Sequence, residues 1–452
     1  MVVRLTCYGG VAEIGGNKFL LEDKDTKVLL DFGKGYSEDA RYFDAGIEPR
    51  AVNGAGDLFE FGLLPEIPGL YSEQALQNTS LKHVEPEVDA VVLSHYHSDH
   101  TGRIGHVDPE IPVYCGETTS YIHEAYSESG GSPLDGHKVN AFRTGDRFRI
   151  GALDFEPVHV DHSIPGAYGF VIHTSEGPIA YTGDFRFHGP AGAMTSDFVE
   201  AAAAAKTALL LTEGTRVSPD DPKTGMSERE VLDETLRVMG RSDKLVFSSF
   251  RGNDVDRINT FAKAAASTGR QLVVSMKTAL LLEKLEKDKG IEVPEVGKEV
   301  LAYVRRKRSG RLDDKDYRVW ERHLLAKGRT AEQIRREQKS VFLHMETWSL
   351  PEMIDIKPER GGVYVHSSTE AFNEEGETEE ETVKRWVAHF GLSYHQIHAS
   401  GHAPMHGVRD LVAGIGAATV VPIHTENPEL FRKFTRGNVL LPARAKPVLL
   451  RN

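Results

Sequence analysis

Short apolar runs separated by glycine-rich turns dominate the first 200 residues of the chain. Runs of this length between turn signals indicate buried β-strands. The runs that we predict as strands are Val2–Tyr8, Lys18–Leu21, Lys27–Asp31, Ala90–Ser94, Pro112–Tyr114, Phe155–His159, Gly169–His173 and Ile179–Thr182. Helical patterns are rarer in this part, and the alanine-rich segment Asp197–Ala205 is one of them.

From about Ala208 onwards, strand patterns alternate with long helical patterns. The predicted strands are Ala208–Thr212, Lys244–Ser248 and Gln271–Val274, and the predicted helices are Ser227–Met239 and Asp254–Ser267. This alternation is typical of a parallel α/β unit. The charged, arginine-rich stretch Lys277–Glu346 that follows is predicted to be helical.

A third pattern occupies the end of the chain. It consists of a strand at Gly362–His366, an acidic loop, a helix near Thr378–His389 and a strand at Thr419–Ile423. Thr378 with Glu381 three residues later matches a capping box, and Gly391 is placed to end the helix.

Length and composition narrow the class of protein. The 452 residues suffice for two or three domains. Two cysteines, Cys7 and Cys115, make neither a disulfide framework nor a thiolate zinc site, so we expect reducing cytosol. No signal peptide is expected, and a membrane span is excluded because no run of about 18 apolar residues occurs.

The net charge of −13 argues at first against a polyanionic ligand. Its distribution removes that objection, because residues 206–365 carry 31 basic and 26 acidic side chains, a balance of +5, and the rest carries −18. Basic clusters at Arg305–Arg308 and Arg335–Arg336 are either solvated helix faces or the wall of a groove for a polyanion.

The strongest chemical signal is the segment His95-Tyr96-His97-Ser98-Asp99-His100, which follows the apolar run Val91–Leu93. Four potential metal ligands lie within six residues, and a strand that ends in a turn can direct them at two adjacent points. Imidazole and carboxylate without thiolate suit Zn²⁺ or Mn²⁺ in an open, catalytic site.

Further candidate ligands follow other predicted strands. They are His162, Asp184 and His424. Loops at strand ends gather into active sites, although each residue alone is weak evidence and His159 is an alternative to His162.

Together these residues resemble the motifs of the metallo-β-lactamase fold. Asp31 stands at the first motif, the histidine-rich segment at the second, His162 at the third and Asp184 at the fourth. The chain is most similar to the β-CASP nucleases of the ribonuclease J branch, because Glu213, His402 and His424 match the further motifs of that group.

The resemblance implies an α/β fold, a metallo-β-lactamase αββα sandwich interrupted by a β-CASP domain. The expected parts are the N-terminal sandwich part, the insert and the C-terminal sandwich part, at 1–205, 206–365 and 366–452. Bacterial members carry a further domain, whereas this chain stops 28 residues after His424. We therefore expect an archaeal-like shorter version, and a homodimer is left open.

The resemblance also implies roles for the site residues. His95, His97 and His162 would hold one metal ion, Asp99, His100 and His424 a second, and Asp184 would bridge two Zn²⁺, with Mn²⁺ as the alternative. Asp31 would orient the ligand loop. Asp99, Asp184, Glu213 and His402 are the predicted catalytic residues, with His402 oriented by Glu213 to assist the leaving group.

The predicted substrate is single-stranded RNA in the cytoplasm. Ser400 and Gly401, with Ser367 and Ser368, are predicted to form a nest for a terminal phosphate, and Arg251 to contact a phosphate. Such a pocket would make the enzyme a 5′→3′ exonuclease that favours 5′-monophosphate ends, in RNA processing and decay.

Three alternatives stay open from the sequence. The first is a β-CASP endoribonuclease of the 3′-end-processing type, in which the strand passes the pocket. The second is a small-molecule metallohydrolase, which the insert between Glu213 and His402 disfavours. The third is a nucleic-acid-binding subunit without activity, which the complete ligand set disfavours.

Overall fold

The computed structural model describes residues 2–43, 46–219, 225–369 and 374–450. In these ranges the strands are β1 (Val3–Gly9), β2 (Lys18–Asp23), β3 (Thr26–Phe32), β4 (Ala90–Val92), β5 (Val113–Gly116), β6 (Val139–Phe142), β7 (Phe148–Ile150), β8 (Leu153–His159), β9 (Tyr168–Thr174), β10 (Gly177–Tyr181), β11 (Leu209–Glu213), β12 (Val246–Ser249), β13 (Gln271–Ser275), β14 (Val300–Val304), β15 (Gly328–Thr330), β16 (Val341–His344), β17 (Val363–His366), β18 (Ser393–Gln396), β19 (Thr419–Ile423), β20 (Asn438–Val439) and β21 (Pro447–Leu450).

The α-helices are α1 (Ser37–Ala40), α2 (Gly56–Glu60), α3 (Glu73–Leu76), α4 (Ser98–Thr101), α5 (Glu117–Ser129), α6 (Gly192–Ala204), α7 (Glu228–Met239), α8 (Val255–Ser267), α9 (Met276–Leu285), α10 (Val319–Arg322), α11 (Ala331–Arg336), α12 (Met353–Ile356), α13 (Glu374–His389) and α14 (Met405–Ile415). Short 3₁₀ helices lie at Ala51–Asn53, Ile104–His106, Asp314–Asp316, Leu325–Lys327, Gln338–Ser340, Thr347–Glu352 and Pro428–Lys433.

Two seven-stranded sheets pack face to face. Their strand orders are β21-β1-β2-β3-β4-β5-β6 and β20-β19-β11-β10-β9-β8-β7. Side chains alternate along β3, so that Val28 and Leu30 enter the core between the sheets while Leu29 packs in the outer layer. Helix α5 covers the first sheet, and α6 and α14 cover the second. The predicted αββα sandwich is confirmed.

A third seven-stranded sheet has the order β15-β14-β13-β16-β12-β17-β18, and all its pairings are parallel. Helices α7, α8 and α9 pack on one face, and α11, α12 and α13 on the other. The predicted parallel α/β unit is therefore present. No helix in the described part of the chain is long and apolar enough to span a membrane.

The sheet pairings bear on the proposed domain limits at 206 and 366. Strand β11 lies in the second sheet, and both β17 and β18 lie in the third. The division into domains stays a proposal, and these pairings favour crossings after Glu213 and after Gln396.

Two local predictions are wrong. Residues 277–346 contain β14, β15 and β16 rather than helices alone, because buried apolar runs such as Val300–Val304 alternate with the charged loops. The capping box at Thr378 is also wrong, since α13 has already begun at Glu374. The predicted acidic loop falls partly on residues 370–373, which lie outside the described ranges, while Gly391 follows the end of α13 with φ +70°.

Candidate metal centre

The candidate ligands meet because several strands end at the same edge of the sandwich. Strands β8 and β10 both run antiparallel to β9 and therefore share a direction, and β11 and β19 run parallel to β10. The loops after β8, β10 and β19 carry His162, Asp184 and His424, and Glu213 is the last residue of β11. From the first sheet, the loop after β4 brings His95 to His100 to the same place.

Three imidazole nitrogens converge on one point. His97 Nδ1 lies 3.0 Å from His95 Nε2 and 3.0 Å from His162 Nε2. The opposite ring nitrogens are engaged elsewhere, since His95 Nδ1 lies 3.0 Å from Ser94 Oγ and His162 Nδ1 lies 2.6 Å from the carbonyl oxygen of Gly401. With those nitrogens protonated, the Nε2 lone pairs of His95 and His162 face the same point.

A second group adjoins the first and shares Asp184 with it. Asp99 Oδ2 lies 2.9 Å from His424 Nε2 and 3.6 Å from His100 Nε2. Asp184 Oδ2 lies 3.2 Å from His100 Nε2 and 3.6 Å from His95 Nε2. Asp184 therefore occupies the position between the two groups that the sequence analysis expects of a bridging ligand.

The donor sets fit divalent cations. Asp184 Oδ1 is buried without a hydrogen-bond partner among the described residues. Burial lowers the pKa of His95 and His162 well below the ordinary value, so these imidazoles are neutral, as metal ligands must be. Burial raises the pKa of Asp99 and Asp184, but His100 and His424 outweigh it and keep both carboxylates ionised. This donor chemistry suits divalent metal ions.

Asp31 lies behind the candidate ligands and contacts the segment that carries them. Its Oδ1 accepts from Ser94 N at 2.7 Å, and its Oδ2 accepts from Ser94 Oγ and His100 Nδ1, both at 2.7 Å, and from Tyr181 Oη. Asp31 adopts φ +57°, a strained conformation that surrounding contacts must maintain. It therefore fixes the orientation of His100.

His424 is held in a similar way. Its backbone has φ +49°, its amide donates to Gly10 O at 2.8 Å, and its Nδ1 lies 2.7 Å from Thr215 Oγ1. The Thr215 hydroxyl also lies 2.6 Å from Glu213 Oε2. Glu213 thus reaches the candidate ligand His424 through Thr215, a residue that the sequence analysis did not identify.

Glu213 and His402 form the predicted pair. His402 Nδ1 lies 3.0 and 3.1 Å from the two carboxylate oxygens of Glu213, and Glu213 also accepts from Phe185 N at 2.9 Å. Burial lowers the pKa of His402, but Glu213 and Asp184 outweigh it and raise the pKa to about 9. With Asp184 and His424 these two residues form a further convergent group.

The residues predicted to contact phosphate fall into two groups, one that is engaged inside the protein and one that lines an open cleft. Ser367 is buried, donates its amide to Ser249 O at 2.8 Å and its hydroxyl to Ile397 O at 2.5 Å, and so lacks a free donor for a phosphate. Gly401 offers its carbonyl to His162, and Ser400 Oγ accepts from His402 N at 3.1 Å. Ser400 and Gly401 therefore hold His402 and His162 in place through these hydrogen bonds.

Arg251 and Ser368 line an open cleft of about 580 Å³ together with Tyr126 and Trp348. Arg251 is exposed and hydrogen-bonded to Tyr36. The Tyr36 hydroxyl donates to Asp99 Oδ1 at 3.0 Å. Hydrogen bonds from Arg251 through Tyr36 to Asp99 therefore link the cleft to the candidate metal centre.

Three contributors escaped the sequence analysis besides Thr215. Ser94 and Tyr181 hold Asp31, and Asn17 Nδ2 lies 3.0 Å from His100 Nε2. Ser94 stands next to the histidine motif, and Asn17 stands in the glycine-rich opening segment. Tyr181 stands three residues before Asp184, so proximity in sequence to a candidate ligand was the available signal for Ser94 and Tyr181.

Comparisons with known proteins agree with the fold. Residues 65–246 match the family model described as beta-lactamase superfamily domain. The fold is similar to a crystal structure of a protein of unknown function from Enterococcus faecalis V583, with a TM-score of 0.76, 22% identity and full coverage of both chains.

The curated relatives include several ribonucleases J. Ribonuclease J 2 of Streptococcus pyogenes is 28% identical over 63% of this chain and 48% of its own length. Ribonuclease J of Thermus thermophilus is 26% identical over 64% of this chain and 47% of its own length, and that of Mycobacterium tuberculosis 28% over 60% and 44%. The chain spans about half the length of these relatives.

Proposed function

We propose that this chain, a ribonuclease J-like β-CASP protein of the metallo-β-lactamase fold, is a metal-dependent ribonuclease that hydrolyses phosphodiester bonds of single-stranded RNA. The observation that carries the proposal is the pair of buried His/Asp groups that share Asp184 and adjoin the Glu213–His402 pair. The ribonuclease J relatives support RNA as the substrate. A cytoplasmic location and a homodimer remain parts of the proposal.

The residues that would hold the metals are those of the two convergent groups. His95, His97 and His162 would hold one ion, Asp99, His100 and His424 the other, and Asp184 both. Zn²⁺ is the proposed ion, with Mn²⁺ as the alternative. Two such ions, when bound, would supply an activated water nucleophile and neutralise charge that develops on the phosphate.

The protein itself provides the remaining functions. Glu213 holds the Nδ1 proton of His402, so that His402 Nε2 is the nitrogen available to give a proton to the leaving 3′ oxygen. Asp31, through Ser94 and His100, keeps the ligand loop in one orientation.

The cleft beside Arg251 is the proposed RNA path. Arg251 supplies a cation near the metal centre, Ser368 a hydroxyl, and Tyr126 and Trp348 supply aromatic faces suited to stacking on bases. We propose that this pocket receives the 5′ end, which makes the enzyme a 5′→3′ exonuclease that favours a 5′-monophosphate.

One experiment tests the activity and its direction. A single RNA, labelled at its 5′ end and carrying either a mono- or a triphosphate, is incubated with the metal-loaded protein. Immediate release of labelled mononucleotide from the monophosphate RNA supports the proposal. Labelled fragments of intermediate length favour the endonuclease alternative, and an intact RNA contradicts ribonuclease activity.

A further inference from the structure

A buried network of charges joins the insert to the metal centre. Arg186 and Arg257 are both 0% exposed. Arg186 Nε donates to Asp161 Oδ1 at 3.0 Å, and its Nη2 to Asp256 Oδ2 at 2.6 Å. Asp161 precedes His162, and Arg186 lies two residues after Asp184, whereas Asp256 and Arg257 belong to α8 of the insert.

Glu228, the first residue of α7, lies between the two arginines. It accepts from Arg257 Nη2 at 2.7 Å, from Arg257 Nε at 3.3 Å and from Thr260 Oγ1 at 3.0 Å, and it lies 3.7 Å from Arg186 Nη1. The carboxylate of Glu228 in α7 thus lies against two guanidinium groups, that of Arg257 in the insert and that of Arg186 in the sandwich.

Both guanidinium groups bind the segment Ala399–His402 through its backbone. Arg257 Nη2 donates to Ala399 O at 3.2 Å, and Arg186 Nη1 donates to Ser400 O at 3.2 Å. The carbonyl oxygen of the next residue, Gly401, accepts a hydrogen bond from His162 Nδ1, and His402 follows Gly401 in the chain. The segment beside His162 is therefore held by one contact from the insert, through Arg257, and by one from the sandwich, through Arg186, which Asp256 of the insert holds in turn.

Stability alone does not account for such a network. Removing charges from water costs several kcal/mol per ion, and well-packed apolar residues often replace a buried ion pair without loss. A buried charge network differs from an apolar cluster in what it can orient. Guanidinium groups direct several hydrogen-bond donors at fixed angles, whereas an apolar cluster directs none.

We propose that Glu228 and Arg257 of the insert, together with Arg186 of the sandwich, are positioning residues that hold Ala399–His402 in the place that orients His162 and His402. The inference rests on the proposed function for its catalytic consequence, but its effect on metal binding is independent of the substrate. The insert then completes the metal centre besides shaping the cleft.

Glu228→Gln and Arg257→Lys test this proposal, because each retains size while changing charge or donor geometry. Metal affinity is measured by chelator competition, and kcat and KM on RNA separately. We expect at least one of the two metal equivalents to bind ~10–100-fold more weakly, the usual cost of removing a group that orients a ligand. We also expect kcat to fall while KM changes little.

Arg270→Lys is the matched control. Arg270 is also a buried arginine of the insert, but it donates only to backbone carbonyls of Ser242 and Lys339. If Glu228→Gln and Arg257→Lys alter metal affinity no more than the control at equal thermal stability, the proposal is wrong.

Thr260→Val covers the case in which the charge variants do not fold. It removes a single hydrogen bond to Glu228 and should weaken metal binding in the same direction by a smaller factor, whereas unchanged affinity contradicts the proposal. A wild-type protein that binds two metals without cleaving RNA would refute the proposed function, while the affinity measurements would still decide this inference.

Discussion

His162 Nδ1 lies 2.6 Å from the carbonyl oxygen of Gly401, a residue 239 positions later in the chain. This hydrogen bond fixes the tautomer of His162 and presents its Nε2 to the metal centre. A β-carbon at Gly401 would approach Ser163 Oγ to 2.7 Å and His162 Cε1 to 3.0 Å, so only glycine fits without movement.

We expect Gly401→Ala to weaken metal binding by ~10–100-fold, because the side chain displaces the His162 ring. Chelator competition measures the affinity. Gly105→Ala is the control, since its β-carbon would meet only Pro133 O at 3.9 Å. Equal affinities for the two variants would show that Gly401 does not position His162.

Asp31→Asn should also weaken metal binding by ~10–100-fold. The amide replaces a carboxylate that accepts from Ser94, His100 and Tyr181, and a nitrogen facing His100 Nδ1 favours the wrong tautomer. Metal content after gel filtration gives the result. Asp23→Asn is the control, because Asp23 is likewise buried and accepts from Ser175 at 2.6 and 2.7 Å. Similar metal content in both variants would argue against the assigned role.

Removal of metal should abolish cleavage, and addition of Zn²⁺ or Mn²⁺ should restore it. Elemental analysis should give two equivalents per chain, since Asp184 adjoins both ligand groups. RNA cleavage that persists after exhaustive chelation would eliminate the two-metal proposal.

Asp99→Ala should lose cleavage while RNA binding stays measurable, because Asp99 contacts His424 and His100 and does not line the cleft. Filter binding and a cleavage assay on the same RNA separate the two properties. Retained turnover would refute the ligand assignment.

His402→Ala should lower the single-turnover rate by ~10²–10⁴-fold if His402 protonates the leaving oxygen. Glu213→Gln should have a similar effect, and the double variant should lose little more, because the two act as a pair. His395→Ala, whose ring contacts Ser393 instead, is the control. An unchanged rate in His402→Ala would reject this role.

Local pattern was sufficient for many of the strands and for the helices α6, α7 and α8. The strand Thr419–Ile423 was predicted with its observed bounds, and α7 and α8 begin immediately after their capping residues Ser227 and Asp254. The helical prediction for residues 277–346 was wrong because charged loops concealed the apolar runs of β14 and β16. The charged residues dominate the composition of these seventy residues, whereas the apolar run of each strand is only four or five residues long.

The sequence by itself determined many of the strands and the positions of the candidate ligands at strand ends, because these depend on periodicity and composition within a few residues. Only the tertiary structure decided that Ser367 is buried, that Gly401 orients His162, and that Arg186 and Arg257 meet at Glu228. Those contacts join residues far apart in the chain, and their geometry depends on how the sheets and the insert pack.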